Sequence, residues 1–344
     1  MIKIKVGYGN VKQVTIGGTE QLVFLGGPCA IESEEHALMM AEKIGEICLK
    51  IGLPWIYKSC FDKDCRSSVS SFHGIGLDNG LEILSNIRKT LGVPVVTDIS
   101  NAAWAEPTGK ICDMVQIPAY LCRQTHILKS AGQTGRPIHL KKGQFMSPWN
   151  MKNSVRKIEA TGNKQVLLTD RGTFFGYNML VNDYRNFPIM AETGYPVCFD
   201  ATHSIQLPTS MGNISGGQRE YIPYLVRAAA ACGINALFME VHDNPSKALS
   251  DANTVLDIKY LERILAHAKK ACDGDLEKIK SCVKLTGYVN SSNNFTDQPK
   301  VINGASDIIV KILGDKGMHT RAAVSVNSLP LGVAVEVDGV FEIN

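Results

Sequence analysis

The sequence has little net charge of either sign. Its 36 basic and 33 acidic residues leave a formal charge of +3. That surplus is too small to favour binding to nucleic acid or to a membrane surface by electrostatic attraction. The chain also lacks any run of about 18 consecutive apolar residues, the length that a membrane-spanning helix requires. We therefore expect neither a nucleic-acid partner nor a membrane partner, whereas small anionic ligands remain compatible with the modest positive charge.

Paired cysteines and a leader segment are also absent. The ten cysteines are scattered and form no CxxC pair, so no zinc ribbon and no disulfide framework of a small secreted domain is indicated. Residues 1–18 alternate apolar and polar side chains like a β-hairpin and contain no apolar segment typical of a signal peptide. We interpret the cysteines as reduced thiols and expect a cytoplasmic location.

Short apolar segments recur along the chain and alternate with helix-like segments. They are rich in Val, Ile and Leu without strict alternation, which is typical of strands buried on both faces. Their predicted bounds are Val23–Gly27, Trp55–Cys60, Pro94–Ile99, Met114–Pro118, Pro137–Lys142, Gln165–Asp170, Pro196–Asp200 and Ala236–Val241. Eight strand–helix units predict an α/β fold, a closed (β/α)8 TIM barrel, with the N-terminal β-hairpin beneath its floor.

The length indicates a second part. At 344 residues the chain exceeds the roughly 250 residues of one such barrel, and its character changes after the segment KKACDGD. We predict a barrel domain at residues 1–272 and a small α+β appendage at residues 273–344.

Cationic side chains follow several of the predicted strands. Active sites of (β/α)8 barrels lie at these carboxyl ends. Because an unpaired buried charge is costly, cations that converge there favour a ligand with more than one phosphate or carboxylate group. For any single member, solvated surface charge is the alternative interpretation. The group comprises Lys58, Lys63, Arg66, Arg123, Lys141 and Arg171.

A second group of strand-end residues offers metal ligands. Cys29, His203, Glu240 and Asp251 are distant in sequence, but a mixed thiolate, imidazole and carboxylate set suits Zn²⁺, Fe²⁺, Mn²⁺ or Co²⁺. The residues alone leave alternatives open. Cys29, in the segment GGPCAIES, could equally be a buried filler or a nucleophile, and His203 could be a core residue or a general base.

Longer motifs carry a resemblance to a known family. They include GGPCAIES, KSCFDKDCRSS, VQIPAYLCRQT, HLKKGQFMSPWNMKN, LTDRGTFFGYNMLVNDYRNFPIM, FDATHSIQLP and FMEVHDNPSKALSDA. From about Leu22 to Ala271 the sequence resembles the 3-deoxy-D-manno-octulosonate 8-phosphate synthases. The resemblance implies a transferase that condenses phosphoenolpyruvate with D-arabinose 5-phosphate and water. It also implies a homotetrameric barrel whose product enters the inner core of lipopolysaccharide.

The resemblance further implies roles for individual residues. Those matching phosphoenolpyruvate contacts are Lys58, Lys63, Lys141, Arg171 and Gln116. Those expected at the pentose phosphate are Arg66, Ser67 and, from a neighbouring subunit, Arg123. Gln206 is a further predicted substrate-binding residue. Asp98 and His203 are candidates for proton handling, although a histidine that binds a metal cannot also act as a free base. The predicted catalytic set is Lys58, Lys63, Asp98, Lys141, Arg171 and His203.

A divalent metal is implied as well. Cys29, His203, Glu240 and Asp251 match the four ligands of the metal-dependent branch, whereas the metal-independent branch has Asn at the position of Cys29. We therefore predict a ligand role for Cys29 rather than a nucleophilic one. The identity of the metal stays open among Zn, Fe, Mn and Co.

Several positions depart from the family pattern. Cys65, His73, Ser100 and Asn101 stand where the family has Asn, Arg, His and Glu. Drift is one explanation and a different aldose phosphate is the other, which keeps erythrose 4-phosphate, the substrate of the related heptulosonate synthases, as an alternative. The segment DKDCRSS lacks the proline of the heptulosonate signature, which argues against that branch. A regulatory pseudoenzyme that binds phosphoenolpyruvate is a further alternative.

The appendage resembles a different family. From about Leu276 onward the sequence is similar to the C-terminal half of the reactive-intermediate (imine) deaminases, with Arg321 at the position of their cleft arginine. The N-terminal hairpin strands of that family have no counterpart here. We expect a structural or assembly role, and a bifunctional synthase–deaminase is the alternative.

Overall fold

The computed structural model describes residues 1–18, 20–64, 68, 70–211, 214–272 and 279–343. The chain divides into two compact units, Met1–Asp273 and Gly274–Asn344. Within the described ranges, no helix combines the length and apolar character that a membrane crossing requires.

The first unit is a closed barrel of eight parallel strands. Each strand pairs with its neighbours in chain order, and the first and last strands pair with each other through Val23–Gly27 and Ala236–His242. The strands are β3 (Val23–Gly27), β4 (Trp55–Lys58), β5 (Val95–Asp98), β6 (Met114–Ile117), β7 (Ile138–Lys141), β8 (Val166–Asp170), β11 (Val197–Asp200) and β14 (Ala236–His242). All eight predicted strands are confirmed, with ends that differ by at most two residues.

A helix follows every barrel strand, which confirms the (β/α)8 architecture. The helices are α1 (Glu34–Ile51), α2 (Leu77–Leu91), α3 (Ala105–Ile111), α4 (Thr125–Gln133), α5 (Met151–Glu159), α6 (Asn186–Ala191), α7 (Ile222–Ala231) and α8 (Leu261–Cys272). Helix α1 begins where sequence patterning predicts it. The Ser33 side chain accepts a hydrogen bond from the His36 backbone N–H, and Gly52 ends the helix in the left-handed conformation.

The N-terminal hairpin closes one end of the barrel. Its strands, β1 (Ile4–Val6) and β2 (Val14–Ile16), pair antiparallel. Their four apolar side chains, Ile4, Val6, Val14 and Ile16, are buried in one cluster with inward-facing residues of the barrel strands, including Leu25 and Phe238. Burial of this apolar surface holds the hairpin in place as the predicted floor.

Three short strand pairs lie at the opposite end of the barrel. Strands β9 (Thr173–Phe174) and β10 (Leu180–Val181) form one antiparallel ribbon, and β12 (Gln206–Met211) and β13 (Ile214–Gly217) form another. Strand β15 (Leu256–Asp257) pairs in parallel with the last two residues of β14. These ribbons lie in the loops that follow β8 and β11, on the side where the strands end.

The second unit is a small α+β structure. Strand β16 (Ile279–Asn290) lies between β17 (Thr320–Val326), with which it is parallel, and the antiparallel β18 (Val335–Ile343). Helix α9 (Gln298–Leu313) connects β16 to β17 and packs Ile302 against Gly287. A side chain at Gly287 would collide with Ile302, so this glycine lets the helix approach the sheet closely.

A buried carboxylate joins the hairpin to the barrel wall. Asp113 accepts hydrogen bonds from the backbone N–H groups of Tyr8, at 3.1 Å, and Val95, at 3.0 Å. It also forms a bidentate pair with Arg88 of α2, with both N–O distances at 2.9 Å. Four donors on three elements therefore depend on one side chain.

We expect Asp113→Ala to destabilise the barrel by about 3 kcal/mol, because it leaves a partly buried guanidinium and two backbone donors without an acceptor. Urea unfolding followed by tryptophan fluorescence measures this in the first unit alone, since Trp55, Trp104 and Trp149 all lie there. The matched control is Glu106→Gln in the exposed Glu106–Lys110 pair, which we expect to leave the midpoint unchanged. Equal midpoints for the two variants would contradict the assignment.

Candidate active site

A cavity of about 580 Å³ opens at the carboxyl ends of the barrel strands. Strand twist and parallel pairing bring every strand end to this rim, so residues distant in sequence become neighbours. Nine of the predicted site residues line the cavity, namely Lys63, Asp98, Gln116, Lys141, Arg171, His203, Gln206, Glu240 and Asp251.

The remaining predicted residues have different placements. Lys58 and Cys29 are buried in contact with lining residues. Arg123 is exposed and is not one of the described residues that line the cavity. Arg66 and Ser67 lie outside the described residues.

The close backbone contact between β3 and β4 positions Cys29 and Lys58. Gly27 ends β3 so close to the Lys58 carbonyl that any side chain at this position would collide with it. Pro28 and Cys29 follow directly, and the Cys29 thiol lies beneath the rim. The Gly-Gly-Pro segment therefore allows the close backbone contact that sets the thiol facing the end of β14.

Glu240 is an almost completely buried charge at the rim. Its Oε1 lies 2.8 Å from Lys58 Nζ and 3.7 Å from Lys63 Nζ, and Lys58 Nζ is also 3.8 Å from Asp98. Burial disfavours the charged form of Glu240, but Lys58, His203 and Lys63 outweigh it and hold the pKa of this carboxyl well below its usual range. Glu240 is therefore ionised, and it compensates cations that would otherwise be costly to bury.

Asp200 ends β11, the strand paired with β14, and is a further buried anion at this site that the sequence did not lead us to predict. Its Oδ2 lies 2.6 Å from Lys141 Nζ and 2.8 Å from His203 Nδ1. Burial opposes ionisation, yet His203 and Lys141 keep the pKa of Asp200 below its ordinary value. The signal was present, because Asp200 ends a buried strand in the segment FDATHS, where an acid requires a partner.

Arg171 carries the least compensated cation. Its Nη2 donates to Gln206 Oε1 at 2.6 Å and to the His203 carbonyl at 3.3 Å. Within the described part of the chain, it has no carboxylate in ion-pair contact, and its buried Nε has no hydrogen-bond partner. A guanidinium with unused donors at a cavity wall can bind a phosphate or carboxylate in two-point fashion.

Asp98 is held as a hydrogen-bond acceptor. The Cys60 thiol donates to its Oδ2 at 2.6 Å, and the Gln116 amide donates to its Oδ1. Burial by itself would raise the pKa of Asp98. The charges of Lys58, Lys63 and Lys141 have the larger effect and hold the pKa below its ordinary value, so the group is ionised at the cavity. Cys60 is a second contact that sequence reasoning did not identify, since a cysteine in an apolar segment resembles a packing residue.

Three of the four predicted metal ligands form one cluster, and His203 lies at its edge. Ligand atoms of Cys29, Glu240 and Asp251 all lie within 4.8 Å of one another. His203 Nε2 is 3.6 Å from Glu240 Oε2 and 3.9 Å from Asp251 Oδ2. Glu240 Oε2 is buried and has no hydrogen-bond partner among the described residues, so one carboxylate oxygen is free to bind a cation.

Two further observations fit a cation among these four side chains. Burial, followed by the charges of Asp251 and Glu240, raises the pKa of the Cys29 thiol well above its ordinary value, and its Sγ lies 3.1 Å from Asp251 Oδ2. A cation would stabilise the thiolate, as metal binding to cysteine requires. Asp251 also adopts a left-handed backbone conformation with φ of 53°, which is uncommon outside glycine and clusters at functional sites.

The positions that depart from the family pattern have identifiable contacts. Ser100 donates to Asp62 at 2.9 Å, and both residues line the cavity. Asn101 instead accepts from the Trp104 backbone N–H at the start of a short helix. The His73 carbonyl accepts from the Lys63 backbone N–H at 2.7 Å, and Cys65 lies outside the described residues. Among the departing positions that the structure describes, Ser100 lines the cavity, where it is paired with Asp62.

Comparison with known proteins adds two family matches. Residues 2–274 match the model of the DAHP synthetase I family. Residues 246–341 match a model described as YjgF/chorismate_mutase-like. The resemblance of the C-terminal segment is therefore confirmed, while the overlap of the two matches falls at the end of the barrel.

Several curated relatives are similar over almost their whole length. Each is called 2-dehydro-3-deoxyphosphooctonate aldolase, another name for the octulosonate phosphate synthase. The protein of Protochlamydia amoebophila is 51% identical over 260 residues, covering 76% of this chain and 94% of the relative. Those of Cyanothece sp. and Geotalea daltonii are each 49% identical, over 265 and 269 residues, covering 77% and 78% of this chain and 96% and 97% of the relatives.

The barrel, the set of strand-end residues at its rim and this extent of identity lead to one assignment. The chain belongs to the 2-dehydro-3-deoxyphosphooctonate aldolase family, within the DAHP synthetase I family.

Proposed function

We propose that this protein condenses phosphoenolpyruvate with D-arabinose 5-phosphate and water to form 3-deoxy-D-manno-octulosonate 8-phosphate and phosphate. The observation that carries the proposal is Arg171, whose guanidinium faces the cavity with an unsatisfied buried nitrogen. Together with Lys58, Lys63 and Lys141, each at most 7% exposed, it forms a cationic wall. Such a wall suits phosphoenolpyruvate, which carries both a carboxylate and a phosphate.

The reaction forms one carbon–carbon bond and one carbon–oxygen bond, from water to C2, and breaks the carbon–oxygen bond between C2 and phosphate. C3 of phosphoenolpyruvate attacks the aldehyde carbon of the pentose phosphate, water adds at C2, and phosphate then leaves with C–O cleavage. Negative charge shifts toward the aldehyde oxygen and the departing phosphate. Lysine and arginine side chains that are already in position stabilise these charges without further reorganisation.

The residues present fit a divalent metal, and Cys29, His203, Glu240 and Asp251 would hold it. When bound, such an ion supplies Lewis-acid polarisation of the aldehyde or of water. Asp200 Oδ2 lies 2.8 Å from His203 Nδ1, and His203 Nε2 lies on the side of Glu240 and Asp251. An outer carboxylate of this kind is typical of metal-binding histidines, so we assign His203 to ligation.

With His203 assigned to ligation, Asp98 is the remaining candidate for proton handling. It lines the cavity as an ionised carboxylate, so it can take a proton from attacking water. The Cys60 and Gln116 hydrogen bonds hold it in one orientation. Gln206 also contributes to the substrate site. It accepts a hydrogen bond from Arg171 and donates one to Asp251 at 3.4 Å.

The resemblance also supports a cellular role in lipopolysaccharide biosynthesis, in the cytoplasm, with a homotetrameric enzyme. The exposed position of Arg123 supports its predicted use across a subunit boundary. For residues 273–344 we propose a structural or assembly role. Arg321 is exposed and donates to Asn303 and Ser306 of its own unit, so its guanidinium is already engaged within that unit.

Replacing Arg171 tests the anion site. We expect Arg171→Lys to lower kcat/KM for phosphoenolpyruvate about tenfold to hundredfold, since a charge-assisted two-point contact is worth about 1.5–3 kcal/mol. Initial-rate kinetics of phosphate release measure the change. The matched control is Arg185→Lys, because Arg185 is exposed and paired with Asp183. A normal kcat/KM for the Arg171 variant would remove the observation on which the proposal rests.

Metal removal tests the ligand set. We expect treatment with a chelator to abolish phosphate release and added Mn²⁺, Co²⁺ or Zn²⁺ to restore it. Cys29→Ala should retain less than roughly a hundredth of the activity under metal-limited conditions, because loss of a direct ligand weakens metal binding strongly. Activity that resists both the chelator and the Cys29 substitution would contradict the metal assignment.

A substrate panel tests the identity of the aldose. We expect turnover with D-arabinose 5-phosphate to exceed turnover with ribose 5-phosphate and erythrose 4-phosphate, as measured by phosphate release from phosphoenolpyruvate. Preference for another aldose phosphate would instead assign a specificity role to the Ser100–Asp62 pair. Absence of turnover with every aldose, together with retained phosphoenolpyruvate binding, would favour the regulatory alternative.

A further inference from the structure

We propose that Glu32, His36 and His242 form a second divalent-metal site, built from nitrogen and oxygen donors without sulfur. We call it the outer cluster, because it lies beyond the predicted catalytic ligands along the same strands. Glu32 follows β3, His36 stands in the first turn of α1, and His242 is the last residue of β14. One ligand atom from each lies within 4.8 Å of the other two.

Asp243 presents the two histidines in a metal-binding arrangement. Its Oδ1 lies 3.0 Å from His36 Nε2 and 3.1 Å from His242 Nδ1. Asp243 accepts an N–H from His36 Nε2, which leaves His36 Nδ1 as the lone-pair nitrogen of that ring. His242 Nδ1 accepts from the Asn244 backbone N–H, so metal binding through His242 Nε2 would require the other tautomer of this ring. Carboxylates in this position orient imidazoles and increase their basicity at known metal sites.

In the proposed site a cation would bind through His36 Nδ1 and His242 Nε2. His36 Nδ1 is buried and makes no hydrogen bond to any residue in the described ranges. His242 Nε2 lies 3.3 Å from Glu32 Oε1. The imidazole rings are 4.6 Å apart between centroids, close enough to share one ion.

Charge balance favours a divalent cation here. Glu32 and Asp243 bring two carboxylates together, and among the described ion pairs neither has a lysine or arginine partner. The side chains of Glu32, His36 and Asp243 are partly exposed, so an ion from solvent can reach them. Two imidazoles and a carboxylate suit Zn²⁺, Co²⁺ or Ni²⁺.

The outer cluster is tied to the loops that hold the predicted catalytic ligands. Glu32 Oε1 accepts a hydrogen bond from the Leu249 N–H at 2.9 Å. The next two residues, Ser250 and Asp251, each contact the Cys29 thiol at 3.1 Å. A metal in the outer cluster would therefore connect the segment of Cys29 to the segment of Asp251, which gives it a structural role.

A purely hydrogen-bonded network is the competing explanation. The Asn244 backbone N–H donates to His242 Nδ1 at 2.9 Å, a contact that places the ring proton on Nε2 and lets it donate to Glu32. Metal binding would require the other tautomer, with Nδ1–H donating to Asp243. Direct measurement of bound metal separates the two explanations.

The test is a cobalt titration of the metal-free, tag-free full chain. Equilibrium dialysis at micromolar free Co²⁺ counts the ions bound, and absorption spectra report the type of ligand. We expect two Co²⁺ per chain in the unsubstituted protein, with thiolate-to-cobalt charge transfer from the Cys29 site only. Cys29→Ser should lose the charge-transfer band but keep one Co²⁺ with weak visible bands.

Substitutions at His36 identify the outer cluster. His36→Ala and His36→Gln should each lose one Co²⁺ and keep the charge-transfer band, and Cys29→Ser combined with His36→Ala should bind none. The matched control is His126→Ala, since His126 is exposed on α4 outside both sites. Tryptophan fluorescence confirms that each variant is folded.

Failure of the outer cluster as a metal site and failure of the proposed function give different results in this experiment. Loss of the single remaining Co²⁺ in Cys29→Ser, or unchanged binding in both His36 variants, would overturn the outer cluster as a metal site. Absence of the charge-transfer band in the unsubstituted protein would instead overturn the Cys29 ligand assignment. The outer cluster would still stand if His36→Ala removed the remaining ion.

Discussion

The ion pair between Glu240 and Lys58 is the interaction on which the candidate site depends. Both side chains are almost completely buried, and their charged atoms lie 2.8 Å apart. Neither charge could remain there alone, because an uncompensated buried ion is strongly destabilising. The ion pair uses Oε1 of Glu240 and leaves Oε2 facing His203 and Asp251. The contact that allows Glu240 to be buried therefore also leaves one oxygen free as a metal ligand.

Asp200 has a similar double role on β11, the strand paired with β14. Asp200 compensates Lys141 and at the same time orients His203. Carboxylates thus alternate with cations around the rim, and each anion serves two neighbours. Arg171 is the exception, because it is held by an amide and a carbonyl oxygen. That imbalance is the basis for proposing that the cavity binds an anion, since an anionic ligand would compensate Arg171.

Sequence patterning predicted the barrel strands to within two residues, because strands buried on both faces require continuous apolar segments. It also identified most residues at the rim, since polar side chains at the ends of apolar strands have few structural reasons to be there. Asp200 and Cys60 were missed for opposite reasons. The acid was adjacent to a more conspicuous histidine, and the thiol resembled a core residue. Their importance comes from partners on other strands, which local sequence does not reveal.

By itself the sequence determined the order of strands and helices, the floor hairpin and the types of side chain available at each strand end. Only the tertiary structure decided which of those side chains meet. Closure of the barrel brings β14 beside β3, so that Cys29, Glu240 and Asp251 converge although more than 200 positions separate the first from the other two. The physical reason is that a side chain's chemistry is local, whereas its pairing depends on parallel strand register and on the closed circumference of the sheet.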